Sequence, residues 1–519
     1  MPTATRSAAG SRAPALRPRV ATKTTKSSRL RACSLLAAFV ALLAPQAATA
    51  ASGQLSLIQD DRLLLGATSK NPAQVMAEVR ALGVDIVRTN VIYHKVYKTP
   101  TDRRKPSGFN ASDPSSRKYN WAPTDRLVAL ARANGLQVLM TVTGPGPFFT
   151  SSSPGRCRSV PCSFRPKPSE FGAFAAAAVK RYRGKVAYYS IWNEPNIGKT
   201  WLTPRLQRTR FGTVDVAGAI YRKLFQAGYQ AIARHDRARR NRVLFGETAA
   251  IGAPLPMLRA ALCLDPAGRP FKGRLKALQG CSGRVARLNI GGVAIHPYNF
   301  GGYGNTQSKT STKSSLPLAY MPRLHRLLNG AARHGRIGGG KGIFVTEFGF
   351  QTRPPDPFGV SWSSQARLIN ESDRLFFSDQ RIRSVAQYEV TDVPQRNQFN
   401  TGLRSAGGQR KPAYAAYRVP IVVSRRSASS VEVYGQARPS RLLRGGPVTR
   451  VEVQMSRGGG AFTTVAQPLT NRRGIFKINV SRAGASNARW QVVWKNLDSG
   501  QVFTSRVAKA GKRLRYYRN

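Results

Sequence analysis

Two glutamates stand out in a chain with few acids: of 519 residues only 23 are Asp or Glu. Glu194 closes the apolar run Tyr188-Tyr189-Ser190-Ile191-Trp192, after Asn193, and is followed by Pro195, which has no N–H to extend a ladder. Glu347 closes Ile343-Phe344-Val345-Thr346 and is followed by Phe348 and Gly349. Each carboxylate is thereby set at the abrupt end of a buried strand. Two carboxyls facing one cleft can break a glycosidic bond, one donating a proton to the leaving oxygen and the other attacking the anomeric carbon. A gap of about 5–5.5 Å between them marks the retaining route. The donor needs a raised pKa, from burial and a negative neighbour; the nucleophile needs hydrogen-bond donors or a cation.

Candidate donors stand at other predicted strand ends. Arg88 lies in Ile86-Val87-Arg88-Thr89-Asn90, His296 and Tyr298 in His296-Pro297-Tyr298, and Asn193 beside Glu194. An unpaired buried arginine is costly, so Arg88 favours the site over the core. His296 could orient substrate or nucleophile. Glu247, closing Val243-Leu244-Phe245-Gly246, is a third carboxylate whose simpler role is structural or substrate-binding.

The elements that must position these residues alternate strictly. Strands are predicted at 63–67, 84–90, 137–143, 186–192, 243–247, 292–296, 343–347 and 385–390, each followed by a helical pattern. Asn71-Pro72 is a helix start, and Asn134-Gly135 a helix stop. Eight β-then-α units over residues 51–419 predict a parallel (β/α)8 barrel, an α/β fold whose site lies at the carboxyl ends of the strands. A doubly wound sheet competes, but its glycine-rich first turn is missing. In residues 420–519 the texture changes to short alternating runs between Gly, Asn and Ser turns, which predicts a small antiparallel β-sandwich. Its Trp490, Trp494, Tyr516 and Tyr517 could form a sugar-stacking face, although such aromatics are more often core.

Trp-Asn-Glu-Pro-Asn at 192–196 with Thr-Glu-Phe-Gly at 346–349 resembles the clan A glycoside hydrolases, nearest to families 39 and 5. The resemblance covers the barrel and implies retention of anomeric configuration. It implies Glu194 as acid/base, Glu347 as nucleophile and Asn193 as ligand of the sugar 2-hydroxyl. His296 and Tyr298 match the clan's His-x-Tyr, and Arg88 its second-strand arginine. Many members end strand eight in a tryptophan platform; here Tyr388 stands in its place, and Trp121, Phe148, Phe149, Trp201 and Trp362 are further candidates for a sugar subsite.

Composition bounds the setting. Residues 1–50 hold eight basic residues and no acid, then the apolar run Leu35–Ala44 and Ala48-Thr49-Ala50. This predicts a secretory signal cleaved near Ala50 and a secreted, extracellular protein; the run is short for a membrane span. The net charge is +60, or +52 without that leader, which attracts anionic cell-envelope polymers without specificity. No motif for specific nucleic-acid binding appears. Cys157, Cys162, Cys263 and Cys281 remain after the leader and predict two local disulfides. Their spacing does not suit a metal, and no metal or cofactor is expected. The sequence therefore points to a secreted retaining hydrolase acting on a carbohydrate substrate. Transglycosylation on the same site, and a non-catalytic glycan-binding envelope protein, are the alternatives.

Overall fold

The computed structural model describes residues 53–299, 305–310, 312–395, 398–481 and 487–517. The expected export signal lies outside the described residues. A closed parallel barrel is formed by β1 (Leu55–Gln59), β2 (Ile86–Ile92), β3 (Gln137–Thr143), β4 (Tyr188–Ile191), β5 (Val243–Ala249), β6 (Gly292–His296), β7 (Ile343–Val345) and β8 (Ile382–Tyr388). It closes between β8 and β1, where Leu55 to Gln59 pair with Ser384 to Tyr388. The helices outside are α1 (Pro72–Ala81), α2 (Ala122–Ala133), α3 (Pro168–Tyr182), α4 (Val216–His235), α5 (Pro254–Ala261), α6 (Met321–Arg333), α7 (Trp362–Phe377) and α8 (Pro412–Arg418).

The start signals act as local chemistry dictates. Asn71 Oδ1 accepts the Ala73 N–H at the head of α1, with Pro72 in the first turn. Asp215 caps α4 through the Gly218 N–H. Each apolar helix face then covers strands whose own side chains are buried, giving one continuous barrel core.

The first strand differs from its expected place. The apolar run predicts a strand at Leu63–Ala67, but the strand is Leu55–Gln59. Asp60 decides this: its carboxylate accepts the Leu63 N–H and caps a helical turn over Asp61–Leu64. Leu63 and Leu64 are buried, yet from a helical turn.

After α8 the chain forms two antiparallel sheets. One holds β9 (Ile421–Arg425), β10 (Ser430–Gln436) and β13 (Ile475–Ser481); the other holds β11 (Glu452–Ser456), β12 (Thr463–Ala466), β14 (Arg489–Lys495) and β15 (Val502–Thr504). Val431 and Val433 of one and Val453, Trp490, Val492 and Trp494 of the other share a core, so the sheets form a sandwich. Trp490 and Trp494 have no exposed surface, which removes them from any sugar-stacking face. Tyr516 and Tyr517 belong to a tail that returns to the barrel. The Tyr517 N–H donates to Ala319 O at 2.7 Å, and its ring lies 5.1 Å from that of Tyr320. Cys157–Cys162 and Cys263–Cys281 are disulfide-bonded. Among the described residues no helix is long and apolar enough to cross a membrane.

Candidate active site

The carboxyl end of the barrel encloses a polar floor in which Arg88 is the central group. It enters from β2 with no exposed surface, and each of its five N–H donors has an acceptor. Nε donates to Thr141 Oγ1 at 3.1 Å. Nη1 donates to Gln59 Oε1 and to Glu347 Oε1, the latter at 2.5 Å. Nη2 donates to Asn193 Oδ1 at 2.7 Å and to Glu247 Oε2 at 3.0 Å. One guanidinium thus ties together side chains from β1, β3 and β5 and from just past the ends of β4 and β7.

His296, also without exposed surface, is the second hub. Nε2 lies 2.7 Å from Glu247 Oε2; Nδ1 lies 3.0 Å from Glu194 Oε1 and 3.6 Å from Glu347 Oε2. Burial opposes a charge on the ring, but Glu347 and the bonds to Glu194 and Glu247 outweigh it and push its pKa up to about 9. His296 is therefore an imidazolium at neutral pH, donating from both nitrogens. Glu247 answers it: burial raises its pKa, Arg88 and His296 lower it further, and the outcome is about 2. Its Oε2 also accepts from Thr346 Oγ1 at 2.8 Å.

Glu194 and Glu347 face each other across this floor. One oxygen of each, together with a His296 nitrogen, lies within 4.8 Å of the others. The Glu347 pKa is raised by burial and by the Glu194 charge, against the pull of His296 and Arg88. Two cations, Arg88 and His296, balance Glu247 and one further negative charge. Glu347, raised by burial and by its carboxylate neighbour, is the member of the site on which these opposing charges converge. A metal would suit this triad poorly. A fully committed guanidinium and an imidazolium already supply the positive charge, and both imidazole nitrogens face carboxylates.

The backbone around these groups is unusual in the way the chemistry requires. Trp192 and Glu194 have φ of 67° and 40°, a left-handed geometry that costs side-chain-bearing residues of order 1–3 kcal/mol each. Packing holds them there. Trp192 is buried against Phe171, rings 5.2 Å apart, and its indole occupies the space where a Cβ on residue 144 would stand, so Gly144 is required. The Glu194 N–H donates to Glu247 O at 2.8 Å. Asn196 locks the same turn to the end of β5, accepting from the Ala249 N–H and donating to Ala249 O. Glu247 does not end its strand. It sits within β5 with φ of 46°, at a bulge where the register with β6 shifts between Gly246 and Thr248.

All seven site residues expected from sequence gather at this end. Asn193 spends its carbonyl on Arg88, so its amide nitrogen is the side chain's remaining hydrogen-bonding group. Tyr298 is buried, with its hydroxyl 3.5 Å from Glu347 Oε2, and burial with the Glu347 charge holds it well above the ordinary phenol pKa, as a neutral donor. Tyr388 ends β8, half-buried, its ring 6.5 Å from Phe399, which lies 5.1 Å from Tyr298. Three of the proposed subsite aromatics are elsewhere. Trp121, Phe148 and Phe149 are buried; Trp121 stacks on Phe174, and Phe149 packs edge-on to Tyr97. Trp362 begins α7, its indole donating to Pro354 O at 3.5 Å. Trp201 is half-buried in the loop after β4. Gln59, Thr141 and Thr346 were missed; the signal available was a polar residue toward the carboxyl end of a largely apolar run.

No family model matches the chain, and no curated protein sequence matches it. Among solved structures it is similar to a family 39 glycoside hydrolase from the gut symbiont Bacteroides cellulosilyticus, at 15% identity over 83% of this chain and 80% of that one, with a TM-score of 0.48. It is similar to the family 39 enzyme from Xanthomonas axonopodis at 15% identity over 86% and 94%, TM-score 0.48. A monomeric β-xylosidase from Caulobacter crescentus gives 17% identity over 88% and 94%, TM-score 0.48. Likenesses this distant carry no functional argument; the site's own geometry does.

Proposed function

We propose that this chain is an exported retaining glycoside hydrolase acting on a carbohydrate chain. The observation that carries the proposal is the approach of Glu194 and Glu347 to within 4.8 Å at the mouth of the barrel, close to the retaining separation and short of the roughly 6.5–9.5 Å of inverting pairs. Glu347 attacks the anomeric carbon while the glycosidic C–O bond breaks and Glu194 gives its proton to the leaving oxygen. Glu194, now a carboxylate, takes a proton from water as that water attacks the glycosyl carbon and releases Glu347. Arg88 and Tyr298 donate to Glu347 and favour its ionised form, the form in which it attacks.

The Asn193 amide binds the hydroxyl next to the anomeric carbon. His296 holds Glu194 and Glu347 in register, and Tyr388 with Phe399 offers an apolar wall to a sugar face. Glu347→Gln should lower kcat by about 10³-fold or more while glycan binding persists, and NMR of the first product should show retained configuration. Unchanged turnover in that variant, or inversion, would end the assignment. Export with cleavage near Ala50 is part of the same proposal, and N-terminal sequencing of protein from the culture medium tests it.

A further inference from the structure

The two sides of the barrel's carboxyl end differ in the acids they carry. At the exits of β8 and β1 the chain places Asp60, Asp61, Glu389 and Asp392, of which Asp392 is paired with Lys411 and Glu389, pushed up to about 9, keeps its proton at neutral pH. The loops after β3 and β4 hold no acid beyond Glu194 and Asp215, and Asp215 is bound to Arg205. In the long loop after β5 the single acid is Asp265, paired with Arg269. The whole protein is basic, so charge by itself distinguishes nothing. The arrangement of these arginines does.

Phe164, half-buried against the Cys157–Cys162 disulfide, has the Arg156 guanidinium 5.1 Å and the Arg165 guanidinium 6.0 Å from its ring centre. Phe211, 41% exposed at the tip of the Gln207–Val214 hairpin, has Arg210 at 4.8 Å and Arg274 at 6.0 Å. The two units are joined. Arg165 Nη2 reaches Gln207 Oε1 at 3.5 Å, and a Cβ at Gly212 would stand 3.4 Å from Leu275, beside Arg274. None of these four arginines forms an ion pair with an acid among the described residues. A guanidinium over a phenyl face is held flat and keeps N–H edges for bidentate contact with a planar or tetrahedral anion, while the ring edge or face meets a sugar.

From this geometry we infer that the ledge Arg156–Phe164–Arg165 and Arg210–Phe211–Arg274 binds the leaving-group side of an anionic polysaccharide, one whose sugars carry carboxylate or sulfate groups. The inference rests on the hydrolase reading, which fixes the side: Glu194 protonates the leaving oxygen from the exit of β4, so the departing chain lies over the loops after β3, β4 and β5.

The test compares a polyuronate with its carboxyl-reduced counterpart, and a sulfated glycan with its desulfated counterpart, at about 0.15 M ionic strength to screen long-range attraction. Arg210→Ala/Arg274→Ala should lower kcat/KM about tenfold or more on whichever charged glycan is cut, chiefly through KM, and lower it far less on the neutral partner. Arg237→Ala/Arg240→Ala, which removes the same charge from exposed positions at the opposite end of the barrel, should change neither. Binding is read separately on Glu347→Gln by affinity electrophoresis. A charged glycan held through the ledge but never cut would uphold the ledge and sink the hydrolase reading. Equal loss of binding in both double variants, or equal binding of charged and neutral glycans, would overturn the ledge.

Discussion

Arg88 illustrates how little freedom a fully committed residue has. A lysine there carries the same charge but offers three donors from one atom, in place of five fanned across a plane. It could not serve Gln59, Thr141, Asn193, Glu247 and Glu347 together. Arg88→Lys should therefore cost about 3–5 kcal/mol in urea unfolding, since Glu247 would be left buried and underpaired; a loss below about 1 kcal/mol would show that the network contributes little. His296 gives a pH signature. Its folded pKa, about 9, lies above its ordinary 6.5, so its contribution is complete below about pH 6.5 and is lost as pH rises through 9. Glu247 has the opposite sign, with a folded pKa of about 2: its contribution is present above about pH 4.5 and is lost as pH falls toward 2. In His296→Asn the thermal midpoint should fall less steeply between pH 6.5 and 9 than in the parent. An unaltered slope would mean that His296 is not charged in the folded protein.

At the scale of elements, the bulge in β5 and the exits of β1 and β8 carry the most consequence. Gly246 has φ of 117°, and a Cβ there would stand 2.6 Å from Ala294 O in the β6 backbone. Gly246→Ala should part β5 from β6 and destabilise by more than about 2 kcal/mol, with activity lost because Glu247 is no longer aimed at Arg88 and His296; full activity at parental stability would refute the bulge's role. At the exit of β8, burial and then the Asp60 charge push Glu389 up to about 9 from its ordinary 4.5. An acid with a raised folded pKa binds its proton more tightly when folded, so stability falls as pH rises from 4.5 to 9. Glu389→Gln should remove that fall and raise the midpoint at pH 8–9 relative to the parent; a midpoint that drops would reverse the sign of the argument. These same elements show what was legible beforehand. Strands β3 and β6 read directly, because an apolar run bounded by turn residues has one sensible state in a β/α alternation. The first strand did not, because Leu63-Leu64-Leu65 is as apolar as a strand and only the Asp60 cap makes it turn. Glu194 and Glu347 could be read from strand-end spacing, whereas the centrality of Glu247 depends on a bulge that no periodicity encodes.

Across the whole molecule, barrel and sandwich are joined by buried charge as well as by apolar contact. Arg438, 3% exposed, donates to Asp373 of α7 at 3.0 Å and to Tyr417 O. Arg374 of the same helix binds Glu432 of β10. Asp85, before β2, receives Arg441 and Arg473, each at 2.9 Å, and also the Ser56 N–H of β1. These pairs tie the amino-terminal ends of the first barrel strands to the sandwich, while the tail through Tyr517 holds the segment before α6. Separating the two parts would strand several ions that have no other partner in reach, which costs far more than breaking an exposed pair. Calorimetry should therefore record one unfolding transition for the chain, with calorimetric and van't Hoff enthalpies in agreement. Asp373→Ala leaves Arg438 buried without its carboxylate and should lower stability by about 3–5 kcal/mol. The decisive outcome is the form of that loss. If the parts are coupled as the ion pairs require, the variant still melts in a single transition at lower temperature, whereas two resolved transitions in the parent protein would mean that the sandwich is an independent appendage.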